Sequence, residues 1–179
     1  TMETALADGT RVWFQTIRDL GARYTIAPVV LHHPDGEDIA CRLDEAFARF
    51  GAPLFLRLDN ATSENCPKVQ EVLARHRVIP FNSPPHYPQY NGGVERAQGE
   101  IREEFDDWTA GIATVPPEHM HVYAAATAHE LNHKPRPVLD GRHACQVFTR
   151  DGRQATVTPG DRQEVLDELI AAAAVLLDT

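Results

Sequence analysis

The amino-acid sequence predicts an α/β fold in which helices flank a mixed five-stranded sheet. Strand-like segments on either side of the turn residues Asp8-Gly9, and again on either side of residues 19–23, predict an antiparallel meander at the start of the chain. A nearly continuous apolar run at residues 54–58 follows a helical pattern, which is typical of a buried parallel strand. Because the order of elements is β-β-β-α-β-α-β-α-α, the meander and the helix-linked strands are expected to share one sheet.

Each element is predicted from its local pattern. Segments rich in β-branched, aromatic or apolar residues predict strands over residues 1–7, 11–17, 24–31, 54–58 and 78–81. Apolar residues at helical spacing predict helices over residues 38–50, 63–76, 94–108, 116–131 and 164–177. A loop rich in Pro, Gly and Asn is expected over residues 82–93, and an extended Pro-rich segment over residues 132–139. We expect one domain over residues 1–150, followed by a C-terminal extension with a helix over residues 151–179.

The composition excludes several classes of protein. Of the 179 residues, 42% are apolar and 24% are charged, which argues against global disorder. The net charge is −9, with 26 acidic and 17 basic residues, so this segment is not expected to grip nucleic acid by itself. The three cysteines are far apart and fit neither a zinc site nor a disulfide framework, as expected of reduced cytoplasmic thiols. No apolar run approaches the roughly 18 residues of a membrane span, so no membrane partner is expected.

Two carboxylates stand where a divalent metal could be bound. Asp59 follows the apolar strand, and Glu95 opens a helix after the long loop, with residues 60–94, 35 in all, between them. Taken singly, such an Asp is usually a turn residue and such a Glu usually favours the helix dipole. Together they could supply the oxygen ligands that Mg²⁺ prefers, and two such ions can hold the attacking and leaving oxygens of a phosphoryl transfer.

Two segments around these carboxylates resemble a known family. They are Pro-Leu-Phe-Leu-Arg-Leu-Asp-Asn at residues 53–60 and Pro-His-Tyr-Pro-Gln-Tyr-Asn-Gly-Gly-Val-Glu-Arg at residues 85–96. With their D-35-E spacing, they resemble the integrase catalytic core shared by retroviral integrases and bacterial insertion-sequence transposases. Residues 131–137 and 145–148 are similar to the tail of that family, usually written YNxxRPH and PxxxF. The resemblance covers roughly residues 1–150 and implies a ribonuclease H-like fold.

The resemblance implies an enzyme, a polynucleotidyl transferase or endonuclease of DNA integration and transposition. Its reaction would be Mg²⁺-dependent nicking of DNA 3′ ends followed by strand transfer, with Mn²⁺ as a substitute metal. Asp59 and Glu95 would be the second and third members of the DDE triad and would both ligate the metal. The partners implied are transposon ends, target DNA and further copies of the chain, in a bacterial cytoplasm. The candidate DNA-binding residues are Tyr87, Gln89, Tyr90, Asn91, Arg96 and Arg102.

The first member of the triad is not matched. The spacing of bacterial relatives places it just before Thr1, which suggests a truncated first strand, whereas a shorter hairpin, as in some retroviral relatives, would make Glu3 the catalytic substitute. Side chains alternate along a strand, so only one of these positions can face Asp59. True loss of the carboxylate is a third possibility, and it would favour a catalytically inactive, transposase-derived DNA-binding or assembly module. A nuclease that cuts RNA is a weaker alternative, because the Pro-Gln-Tyr-Asn-Gly-Gly loop favours the integrase branch.

Overall fold

A computed structural model gives the fold of the chain. It describes residues 2–6, 8–31, 35–58, 61–82, 92–112, 115–116 and 119–150, together with residues 160, 163–165 and 167–168. The five described residues at 163–165 and 167–168 are helical, as the predicted late helix requires. The remainder of that prediction lies outside the described residues.

The strands form two sheets in the described part of the chain. Strands β1 (Met2–Ala5), β2 (Arg11–Arg18) and β3 (Thr25–Leu31) make an antiparallel meander, while β4 (Phe55–Leu58) and β5 (Ile79–Asn82) pair in parallel. All five strands and their directions are as the sequence predicts. The prediction of a single five-stranded sheet is not met, because no hydrogen-bonded ladder joins the two sheets between the described strands. Strands β1 and β4 have four residues each, so they offer few backbone groups for such a ladder.

Five helices accompany the strands between residues 36 and 150 of the described chain. They are α1 (Gly36–Phe50), α2 (Pro67–Arg75), α3 (Gly92–Thr109), α4 (Met120–His133) and α5 (Ala144–Arg150). The side chain of Asp35 accepts hydrogen bonds from the first amides of α1, and Pro67 starts α2, which explains why these helices begin where they do. The predicted extended segment ends earlier than expected, because residues 137–139 form a 3-10 turn. Helix α5 was not predicted, since seven residues give too few turns for a periodic signal.

The α3 and α4 helices pack on one face of the meander. Phe14 is fully buried, and its ring meets the ring of Phe105 edge-on with 4.8 Å between centroids. Ile101, Ala124 and Leu131 complete this cluster. A second cluster joins α1 and α2 to β4 and to Val78, the residue before β5. A third stacks Phe148 of α5 on Tyr24, so that α5 docks beside the start of β3.

Asn132 fastens the end of α4 to the start of β3. Its side-chain oxygen accepts from the Thr25 amide and its side-chain nitrogen donates to the Thr25 carbonyl, both at 2.8 Å. The side chain therefore takes the place of a neighbouring strand for one residue. Because Asn132 and Thr25 are buried, water cannot replace these bonds.

We expect Asn132→Ala to lower the free energy of unfolding by about 3 kcal/mol, since it leaves a buried donor and a buried acceptor without partners. Urea unfolding followed by circular dichroism measures the change. Asn82→Ala is the control, because Asn82 donates to Asn65 in an exposed hydrogen bond, and it should cost no more than about 0.5 kcal/mol. Equal losses in the two variants would contradict a special role for Asn132.

Candidate active site

Glu95 lies in the first turn of α3 and is exposed. No hydrogen bond or ion pair engages its carboxylate within the described residues. Arg102 is seven residues further along, which places it on the same side of the helix to within about 20°. The Arg102 guanidinium donates to the backbone oxygen of Glu3 at 3.2 Å. The side of α3 that carries Glu95 is therefore the side next to β1, the strand expected to bear the first carboxylate.

Glu3 is on β1 but points away from the face of the sheet that packs on α3 and α4. It pairs with Trp13, and residues directly opposite each other on antiparallel strands share a face. Since Phe14 faces α3, the alternation along β2 puts Trp13 and Glu3 on the other face. The Glu3 carboxylate forms an exposed ion pair with Arg11 at 3.1 Å.

Two of the candidate DNA-binding residues are described, and both are exposed on α3. The side chain of Arg96 is 85% exposed and lies a loose 3.6 Å from Glu100. Asp59 and four loop candidates, Tyr87, Gln89, Tyr90 and Asn91, lie outside the described residues. Among the residues that are described, no three His, Cys, Asp or Glu side chains are grouped to hold a metal ion.

Glu100 is the residue near the site that the sequence analysis missed. One oxygen of its carboxylate accepts from Arg18 at the end of β2 at 2.8 Å and from Arg136, after α4, at 3.1 Å. A second nitrogen of Arg136 donates to the Leu131 carbonyl at 3.1 Å. We call Arg18, Glu100 and Arg136 the arginine clamp. Arg136 belongs to the tail motif, and that motif was the one signal in the sequence that could have led to the clamp.

Burial and charge oppose each other in the clamp. Burial by itself raises the pKa of the Glu100 carboxyl, but the hydrogen bonds and charges of Arg18 and Arg136 outweigh it, so this pKa lies below its ordinary value. Burial also lowers the pKa of Arg18, an effect that Glu100 partly offsets. Both arginines remain charged at neutral pH, since the guanidinium does not lose its proton in proteins.

A second ion pair joins the same two elements one turn further along α3. Lys134 contacts the buried carboxylate of Glu104. Hydrogen bonding and the charge of Glu104 raise the pKa of Lys134. Both pairs line a groove of about 710 Å³ between α3 and the segment after α4. Arg96 lines this groove, whereas Glu95 does not.

The described helices include none that is long and apolar enough to cross a membrane.

No family model matches the chain. A search of known proteins finds the Gag-Pro-Pol polyprotein of mouse mammary tumor virus (strain BR6), 26% identical over 96 residues. The match covers 54% of this chain and 6% of the polyprotein, so the chain spans only a small part of that relative.

Several solved structures with a similar fold come from retroviruses. A chain of the simian T-cell lymphotropic virus intasome, in complex with PP2A regulatory subunit B56 gamma, has a TM-score of 0.71 at 14% identity, covering 83% of this chain and 51% of that one. The HTLV-2 integrase catalytic core domain in complex with magnesium has a TM-score of 0.65 at 16% identity, and the match covers 82% of this chain and 90% of that domain. The BIV integrase catalytic core domain has a TM-score of 0.63 at 16% identity, and the match covers 86% of this chain and 94% of that domain.

The chain has the fold of a retroviral integrase catalytic core. The resemblance to the integrase catalytic core that the sequence indicated is confirmed for the fold. The expected bacterial cytoplasmic location is wrong, because the matching relatives are retroviral. The error arose because the D-35-E spacing is common to both branches of the family and cannot separate them.

We expect the arginine clamp to lose its stabilising effect in acid. The pKa of Glu100 is lowered by folding, so its contribution to stability is fully present above the ordinary pKa of a glutamate and is lost as the pH falls through the lowered value. The difference in unfolding free energy between the wild type and Glu100→Gln, measured by urea unfolding, should shrink steadily over that range. A difference that stays constant with pH would mean that the Glu100 charge does not stabilise the fold.

Proposed function

We propose that the chain is the catalytic core of an integrase, a Mg²⁺-dependent polynucleotidyl transferase that nicks DNA 3′ ends and joins them to target DNA. The observation that carries the proposal is the placement of Glu95. It lies in the exposed first turn of α3, unpaired within the described residues, on a fold shared with integrase cores. In contrast, Glu100 and Glu104 on the same helix are engaged in ion pairs.

The donor set fits a hard divalent cation. Asp59 directly follows β4, and Glu95 and Asp59 together offer the carboxylate oxygens that Mg²⁺ prefers. When bound there, Mg²⁺ would offset the negative charge that develops on the phosphate during transfer. An integrase core similar to this chain was solved in complex with magnesium, which supports this choice of metal.

The chain's own residues would orient the nucleic acid. Arg96 and Arg102 are exposed on α3, one and seven residues after Glu95, so their guanidinium groups could bind phosphates near the scissile bond. The loop residues Tyr87, Gln89, Tyr90 and Asn91 remain candidates for contacts to the DNA. We also propose self-association, because the HTLV-2 core neighbours are described in trimeric and dimeric forms.

Two features weigh against Glu3 as the third metal ligand. Its side chain lies on the face of the sheet away from Phe14 and α3, and it is already paired with Arg11. Arg102, which contacts the Glu3 backbone, is also about 10 Å along the helix axis from Glu95, at 1.5 Å per residue. Among the described residues no other carboxylate joins Glu95 to hold a metal, so an assembly or DNA-binding module of integrase fold without catalysis is the second candidate function.

The test of catalysis is Mn²⁺-dependent nicking of supercoiled plasmid DNA. We expect Asp59→Asn and Glu95→Gln each to lower the nicking rate at least a hundredfold, because each removes a proposed metal ligand, with unfolding midpoints unchanged. Glu103→Gln, an exposed glutamate on the same helix, is the matched control and should keep the wild-type rate. Wild-type nicking by either ligand variant would rule out this metal site. A wild type that binds DNA but does not nick it would support the assembly module.

The role of Glu3 is tested separately. We expect Glu3→Gln to change the nicking rate and the Mn²⁺ affinity less than twofold, because the side chain faces away from α3. Isothermal titration with Mn²⁺ measures the affinity. A loss of tenfold or more would instead make Glu3 the third ligand and would require its carboxylate to leave Arg11.

A further inference from the structure

We propose that Arg18, Glu100 and Arg136 are positioning residues that hold the Glu95 turn of α3 in place from the opposite side of the helix. This inference rests on the proposed function, in which Glu95 binds the metal. It assigns a role to the arginine of the tail motif, which the site itself does not use.

The first turns of α3 are weak by themselves. Gly92, Gly93 and Gly99 all fall in its first half, and each glycine inside a helix costs about 1 kcal/mol relative to alanine. A Cβ at any of these three positions would meet nothing within 4 Å among the described residues, so close packing does not require glycine there. Between Gly92 and Glu100 only Ala97 is buried. Apolar packing therefore contributes little to the position of Glu95.

Glu100 supplies the missing attachment. It is five residues beyond Glu95, which is about 7.5 Å along the helix axis and about 140° around it. It therefore points to the far side of α3 from Glu95. The clamp ties this point to the end of β2 through Arg18 and to the segment after α4 through Arg136. Apart from the loose 3.6 Å contact between Glu100 and Arg96, the clamp can affect a ligand at Glu95 only through the helix backbone.

The clamp is strong because its charges are shielded from water. The side chains of Arg18 and Arg136 are only 8% and 13% exposed, so solvent screens their attraction to Glu100 weakly. Replacing Glu100 by a neutral residue leaves two buried guanidinium groups that repel each other beside α3. The start of the helix would then be pushed away from the sheet.

The Lys134–Glu104 pair offers an internal control. It links α3 to the same segment, one turn further from Glu95. At that level Ile101 and Phe105 already fix the helix in the core. Loss of Glu104 should therefore lower stability without moving the Glu95 turn.

The experiment is hydrogen exchange by mass spectrometry on the whole chain, comparing peptides that cover residues 92–99 and 101–108. We expect Glu100→Gln to speed exchange in the first peptide at least tenfold and to leave the second unchanged. Glu104→Gln should leave the first peptide as in the wild type. Adding Gly99→Ala to Glu100→Gln should restore part of the protection, because alanine stabilises these turns without a clash. Unchanged exchange in Glu100→Gln, or an equal effect in Glu104→Gln, would overturn the proposal.

Mn²⁺ titration of the same variants links the clamp to the metal. Residues that orient a metal ligand typically change metal affinity by about 10- to 100-fold. We expect a loss of at least tenfold for Glu100→Gln and less than twofold for Glu104→Gln. If exchange changes as expected while the wild type binds no Mn²⁺ through Glu95, the proposed function fails and the anchoring stands. If Glu95-dependent binding is the same in both variants, positioning of the ligand is overturned.

Discussion

The carboxylate of Glu100 is the group on which the placement of the candidate site depends. It joins α3 to two elements that are distant in sequence, the end of β2 and the segment after α4. Burying an arginine costs free energy unless an opposite charge pairs with it, and here the Glu100 carboxylate pairs with two arginines. Within the described residues, the Nε atoms of both arginines are buried without a hydrogen-bond partner, so the pairing of this cluster is not complete. Such a cluster holds only one arrangement of its three elements, so it fixes α3 more sharply than apolar contact could.

The two halves of α3 are held by different physical means. Its second half packs through Ile101 and Phe105 against Phe14, where burial of apolar surface stabilises the fold. For the proposed function, its first half must leave Glu95 open to water, metal and nucleic acid, so an apolar contact there would close the site. Ion pairs on the far side of the helix hold that half and leave the Glu95 side uncovered. The glycines at the start of α3 make this attachment necessary rather than supplementary.

Local sequence patterns predicted the strands and helices whose formation depends on residues close together in the chain. The five strands, helix α1 to within two residues of its start, and the helix that carries Glu95 all follow from short-range signals. The division into two sheets and the arginine clamp do not, because they depend on residues far apart in the chain. Arg18 and Glu100 are 82 positions apart, and Thr25 and Asn132 are 107 apart. Glu95 could be selected as a candidate because its spacing from Asp59 matches a family pattern, whereas Glu3 could not be placed on a face without the register of β1 and β2.

For the proposed function, the internal ion pairs also limit which cations can contact DNA. Three cations near α3, Arg18, Lys134 and Arg136, are engaged with carboxylates of the helix and are not available to phosphates. The exposed Arg96 and Arg102 remain, on a chain whose net charge is −9. Each phosphate contact contributes about one unit to the salt dependence of binding, so two contacts give only weak affinity at physiological salt. When several copies of the chain are joined, their weak contacts act together, so the overall affinity rises although each copy makes no additional contact. Self-association, on this argument, is the way in which so acidic a core could retain a polynucleotide.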